Sequence, residues 1–150
     1  MPLRPSLEDT HLAMLKAYAA RSTCARRQVA ALITDAQGRL LGAGYNGVPR
    51  GVIHCTDFPC PGAQGAAGDT RACEAVHAEI NALLQCSNLR EAYTIYCSCT
   101  PCFECAKAIC NTSIVRVVVT EPYADARGYQ MLKRGGKQVI VTNFSNLAGS

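Results

Sequence analysis

The apolar positions of this chain change period several times, and each change marks an element. Over residues 6–21 they recur at helical spacing, with Leu7, Met14, Leu15 and Tyr18 on one face and Ser6 where an N-cap belongs. Residues 29–34 form a short apolar run, Asp35-Ala36-Gln37-Gly38 reads as a turn, and 39–45 form a second run. Together these predict a β-hairpin. Residues 46–71 lose all periodicity and are dense in Pro and Gly; so long an irregular stretch is uncommon in a compact domain and usually functional. The pattern then resumes with a helix over 72–85, a strand over 93–97 and a helix over 102–110 that opens just after Pro101. The β-branched run at 115–120 is typical of a buried parallel strand. A helix over 124–134 ends at Gly135-Gly136, and 138–142 forms a last strand. The order α-β-β-α-β-α-β-α-β predicts a five-stranded mixed sheet with helices on both faces. The fold class is therefore α/β, a three-layer α-β-α arrangement occupying residues 1–150 as one domain.

Composition narrows the setting. The 150 residues suffice for one well-buried core. Residues 1–10 contain no apolar stretch of the signal-peptide kind, and no segment approaches the roughly 18 apolar residues of a membrane span, so a cytoplasmic protein without membrane contact is expected. Ten cysteines in a secreted chain of this size would suggest disulfides; without a leader, metal binding accounts for them better. The formal charge of +4 suits an anionic small molecule and falls short of the concentrated basic patch that nucleic acid requires.

The chemistry concentrates in His77-Ala78-Glu79 and Pro101-Cys102-Phe103-Glu104-Cys105. These supply one imidazole, two thiolates and an uncommitted carboxylate. That set fits a zinc ion with three protein ligands (His77, Cys102, Cys105), an open fourth position, and Glu79 as general acid/base beside it. A structural zinc would be closed by four ligands, and a redox CxxC has no use for an upstream HxE. The positive end of the helix that starts near Cys102 favours its thiolate. HxE followed by PCxxC is the signature of zinc-dependent nucleobase deaminases.

Beyond these motifs, the chain carries Arg21-Ser22-Thr23-Cys24, then Gly44-Tyr45-Asn46-Gly47-Val48-Pro49-Arg50-Gly51 followed by His54-Cys55, and Cys73-Glu74-Ala75-Val76 leading into the HAE. With them it resembles the cytidine deaminase superfamily, and within it the deoxycytidylate (dCMP) deaminase and late-competence deaminase branch. The resemblance implies a cytidine-deaminase-like fold and hydrolysis of dCMP to dUMP and ammonia, which supplies the precursor for dTMP synthesis. It implies that Glu79 takes a proton from water and delivers it to N3 of cytosine, that hydroxide attacks C4, and that Glu79 then helps protonate the departing amine.

Asn46 resembles the sugar-binding asparagine, although Asn before Gly also suits a left-handed turn. A cation is needed for the 5′-phosphate; Arg26, Arg27, Arg50, Arg71 and Lys107 are eligible, and Arg26 is preferred because it leads into the strand behind the pocket. Tyr123 resembles a nucleotide-contacting aromatic, with core packing as its alternative. The branch further implies a homo-oligomer, commonly a hexamer, activated by dCTP with Mg2+ and inhibited by dTTP, with Asn46, Gly47 and Arg50 as effector-site candidates. A second, structural zinc on Cys24, Cys55, Cys60 and Cys73 is also implied, His54 being able to replace one thiol; otherwise these cysteines pack as small hydrophobes. Cys86, Cys97, Cys99 and Cys110 read as core or surface thiols, with Cys99 close to the catalytic metal.

One departure concerns the short, Gly- and Ala-rich segment between Cys60 and Cys73, where Gln64, Asp69, Thr70 and Arg71 alone offer polar contacts for an effector. Two rival functions remain. A deaminase acting on transfer-RNA adenosine or on guanine shares HAE and PCxxC, but the tail after Lys137 has no Lys or Arg to bind RNA. A non-catalytic zinc-stabilised accessory protein has no need of Glu79.

Overall fold

The computed structural model describes residues 3–65, 72–122 and 125–142. Helix α1 (Leu7–Ala19) starts at Ser6, whose hydroxyl accepts from the Asp9 amide at 3.0 Å, as the sequence predicts for an N-cap. Its buried side is built from His11, Leu12 and Leu15. Leu7, expected on that side, is 53% exposed, because the first turn overhangs the β-turn and Leu7 lies against Gly38 rather than the sheet.

The strands are β1 (Ala30–Thr34), β2 (Leu40–Tyr45), β3 (Thr94–Cys97), β4 (Arg116–Val119) and β5 (Gln138–Val141), in the spatial order β2-β1-β3-β4-β5. β1 pairs antiparallel with both β2 and β3, while β3, β4 and β5 run parallel, so the sheet is mixed as predicted. The parallel half needs crossovers, and helices α3 (Phe103–Cys110) and α4 (Arg127–Arg134) supply them. Side chains alternate between two cores. Ala31, Ile33, Ile95, Cys97, Val117 and Val119 pack with Ala78, Ala82, Ala106, Ile109 and Leu132 from the helices of one face. Ala30, Leu32, Tyr96 and Val118 pack with Leu12 and Leu15 of α1 on the other. Each such Leu, Ile or Val stabilises the fold by about 1.5–3 kcal/mol through burial.

Helix α2 spans Ala78–Gln85, not the predicted 72–85. Residues 72–77 have helix-compatible composition, yet their backbone is committed elsewhere: Val76 and Gly47 exchange amide–carbonyl bonds of 2.7 and 3.2 Å in an isolated bridge. His77 therefore precedes the helix in extended geometry (φ −66°, ψ 151°) as its N-cap residue, and Glu79 sits in the first turn. The predicted starts at 102 and 124 likewise move, to Phe103 and Arg127; residue 124 lies outside the described residues.

α2 approaches β2 backbone to backbone. A Cβ on Gly42 would stand 2.8 Å from the Ala82 carbonyl oxygen, and one on Gly44 would stand 2.5 Å from the Ala82 nitrogen and 2.8 Å from the Ala78 carbonyl oxygen. Glycine is thus required in β2 by close contact, and that contact fixes the height of α2 above the sheet. Gly44→Ala is expected to cost about 1–3 kcal/mol by overpacking, seen as a lowered urea midpoint with an unchanged m-value. A variant as stable as the parent would show that α2 is free to lift away.

Candidate active site

The turn leading into α2 and the start of α3 meet over one face of the sheet, and each delivers metal-binding donors. His77 Nδ1 lies 3.3 Å from Cys105 Sγ and 3.4 Å from Cys102 Sγ. Cys102 is the N-cap of α3, its sulfur accepting from the Cys105 amide at 3.5 Å. Among the described residues, His77, Cys102 and Cys105 are the one group of three or more such side chains whose ligand atoms all lie within 4.8 Å of one another. One nitrogen and two sulfurs at that separation fit a zinc ion.

The electrostatics agree with the donor chemistry. A hydrogen bond from Cys105, then His77 beside it, holds Cys102 as thiolate against the effect of burial, with its pKa down to about 4. Cys105 is pushed up because it holds the proton the pair shares and is itself buried. His77 is raised by its bond to Cys102. Glu79 is 4% exposed, and burial raises its carboxyl above the usual range although Cys105 and His77 pull it down. A buried carboxyl of raised pKa beside three metal donors is placed to take up a proton and pass it on.

His77, Glu79 and Cys102 line a cavity of about 430 Å³, and Cys105 is buried beside them. Asn46 and Arg26 line it too. Asn46 is buried; its Oδ1 accepts from the Val29 amide at 2.9 Å and from the Ser22 hydroxyl, and its Nδ2 donates to the Arg27 carbonyl at 2.9 Å. No non-glycine residue described has positive φ, so Asn46 is not a left-handed turn residue. It instead ties the loop before β1 to the end of β2. Arg26 is half-buried and donates from Nη1 to the Gly62 carbonyl at 2.7 Å. Arg27 reaches Cys99, donating from Nη2 to its sulfur at 2.9 Å. Tyr123 and Arg71 lie outside the described residues, as do Asp69 and Thr70.

Gly47 and Arg50 face a second cavity of about 580 Å³, shared with Tyr45, His54 and Asn81, whereas Asn46 belongs to the first. Lys107 is paired with Glu104 at 2.8 Å and is not among the residues lining the first cavity. Of the four cysteines expected at a second metal, Cys60 interacts with the thiols of both Cys55 and Cys73, and Cys73 also feels Cys24. They do not reach the mutual closeness of the His77 group. His54 points to Asp57, 3.7 Å away.

The cavity also has members that the sequence reading missed. Phe103, Glu104, Asp125 and Arg127 form a wall from the starts of α3 and α4. Proximity to the PCxxC motif flags Phe103 and Glu104, but nothing in the local sequence marks Arg127. Gly128 is equally silent in the sequence, yet a Cβ there would stand 1.8 Å from the Pro101 carbonyl oxygen and 3.1 Å from the Cys102 carbonyl carbon. The first turn of α4 therefore rests on the backbone that presents Cys102.

Three comparisons with known proteins bear on this site. The family model for the cytidine and deoxycytidylate deaminase zinc-binding region matches residues 6–121, which include His77, Glu79, Cys102 and Cys105. The deoxycytidylate deaminase of Saccharomyces cerevisiae is 34% identical over 149 residues, covering 95% of this chain and 46% of its own, so the chain spans about half the length of that relative. The deoxycytidylate deaminase of Mycobacterium phage D29 is 37% identical over 124 residues, 77% of this chain and 94% of the phage protein. The solved dCMP deaminase of cyanophage S-TIM5, in complex with dCMP and dUMP, shares the fold with a TM-score of 0.76 over 94% of this chain and 100% of that one, at 24% identity.

Gly128→Ala tests the support beneath Cys102. Glycine to alanine in an exposed helix would gain about 1 kcal/mol in propensity; here the clash with Pro101 is expected to reverse the sign and to lower zinc retention on dialysis. Thermal melts and metal analysis of the same sample would show it, and a stabilised variant with full zinc would refute it.

Proposed function

This chain belongs to the cytidine and deoxycytidylate deaminase family, and we propose that it hydrolyses dCMP to dUMP and ammonia. The observation that carries the proposal is the burial of Glu79 at the junction of His77, Cys102 and Cys105, inside a cavity of about 430 Å³ that a nucleotide base and sugar can enter.

His77, Cys102 and Cys105 would hold a zinc ion, which supplies Lewis-acid activation of water at neutral pH. Glu79 accepts a proton from that water at its carboxylate and passes it to N3 of the cytosine ring. Once the hydroxyl oxygen is bonded to C4, Glu79 takes the remaining proton from that hydroxyl and delivers it to the exocyclic amine, and the C4–N bond breaks to release ammonia. One water is consumed and the ring becomes uracil. The raised pKa of Glu79 suits both halves of this transfer. Asn46, held by Val29, Ser22 and Arg27, has a remaining Nδ2 hydrogen for a deoxyribose hydroxyl. Arg26 approaches the 5′-phosphate, and Tyr123 contacts the nucleotide.

The dUMP formed supplies dTMP synthesis, and the chain acts as a single domain over residues 1–150. Regulation by Mg·dCTP as activator and dTTP as inhibitor uses Asn46, Gly47 and Arg50, the last two facing the second cavity. Cys24, Cys55, Cys60 and Cys73 take a second, structural zinc, supported by the thiol contacts of Cys60 and by their spread over the loop before β1 and the long irregular segment. The protein works in the cytoplasm as a homo-oligomer, a hexamer by resemblance to its branch. Among the described residues no helix is long and apolar enough to cross a membrane.

Glu79→Gln tests the proposal. It keeps the shape of the side chain and removes its basicity, so ammonia release from dCMP should fall about 10²–10⁴-fold while zinc content and circular dichroism stay as in the parent. A zinc-loaded parent silent on dCMP, or a variant with undiminished turnover, would contradict it.

A further inference from the structure

Three arginines line the catalytic cavity: Arg26, Arg27 and Arg127. Each has a different attachment. Arg26 bonds a loop carbonyl and Arg27 a buried cysteine sulfur. Arg127 is built as a fork. Its Nε lies 3.1 and 2.9 Å from the two carboxylate oxygens of Asp125, and its Nη2 lies 2.7 Å from one of them. Asp125 also accepts from the Arg127 main-chain amide at 3.0 Å, which locks the carboxylate to the start of α4. The guanidinium carbon stands 5.7 Å from the centre of the Phe103 ring.

This attachment leaves a specific part of the group available. The Nε–Nη2 edge is used by Asp125, while Nη1 and the outward hydrogen of Nη2 have no partner among the described residues. That pair of N–H groups is the end-on edge that matches two oxygens of a phosphate. The Arg127 side chain is 69% exposed, so a ligand can reach it, and the splint to Asp125 reduces the ordering cost of binding.

We propose that Arg127 is a specificity-determining residue that takes the 5′-phosphate of the nucleotide from the α3–α4 side of the cavity, while Arg26 approaches from the loop before β1. The inference rests on the dCMP reading above. The wall around Arg127 is charge-balanced: Arg127 and Lys107 stand against Asp125 and Glu104, and Lys107 shares the Phe103 ring at 4.8 Å. Net field at this wall is therefore weak, and recognition depends on the geometry of the fork.

The test is steady-state kinetics on dCMP and deoxycytidine with the zinc-loaded parent, Arg127→Gln, Arg127→Lys and Arg26→Gln. Arg127→Gln should lower the preference for dCMP over deoxycytidine, taken as the ratio of kcat/KM values, at least tenfold and mainly through KM for dCMP. Arg127→Lys should stay within about threefold of Arg127→Gln, because a lysine keeps the charge and loses the fork. An unchanged preference in Arg127→Gln, an equal loss on both substrates, full recovery in Arg127→Lys, or loss confined to Arg26→Gln would each overturn the inference while leaving the deaminase reading intact. A parent silent on both substrates overturns that reading and this inference with it.

Discussion

The site depends on two backbone turns into helices held against each other over the sheet. His77 caps α2 and Cys102 caps α3, so the donors belong to the least adjustable part of each helix, where the chain direction changes and the first amides point outward. Partial positive charge at a helix start favours a thiolate there. Cys102 uses that setting directly, taking the Cys105 amide onto its sulfur. The metal-binding geometry is thus a by-product of how the helices begin, and it persists only while both helices keep their positions.

Those positions are set by absent side chains as much as by present ones. Gly42 and Gly44 let the backbone of α2 settle on β2, and Gly128 lets α4 settle on Pro101 and Cys102. The bridge between Gly47 and Val76 holds the residue before His77, and a Cβ on Gly47 would meet the Thr23 hydroxyl at 2.2 Å. Ser22 and Asn46 complete this frame by tying the loop before β1 to the end of β2. Burial of Glu79 follows from the same packing, and burial is what raises its carboxyl above the usual range.

Much of this was legible in the residues. Short apolar runs located the five strands and helical spacing the four helices, because a sheet with a core on each face demands apolar side chains on both sides of its strands. The HAE and PCxxC spacings located His77, Glu79, Cys102 and Cys105, since donor chemistry restricts which residue types can serve. The start of α2 was misplaced because local composition cannot register a bridge to Gly47, far away in sequence. Leu7 was misplaced for a related reason: periodicity reveals a face but not where the sheet ends beneath it. Arg127 carried no signal, because only folding brings its guanidinium to the Phe103 ring of α3 and to the cavity wall, and pairing with Asp125 two residues away is an ordinary local contact.

The most direct test of the account is a crystal structure of the zinc-loaded protein with anomalous scattering measured at the zinc edge. The account predicts a peak bound by His77 Nδ1, Cys102 Sγ and Cys105 Sγ, with its fourth position open toward Glu79. A peak closed by a fourth protein ligand, Glu79 or Cys99 included, or no peak between these three donors, would contradict it.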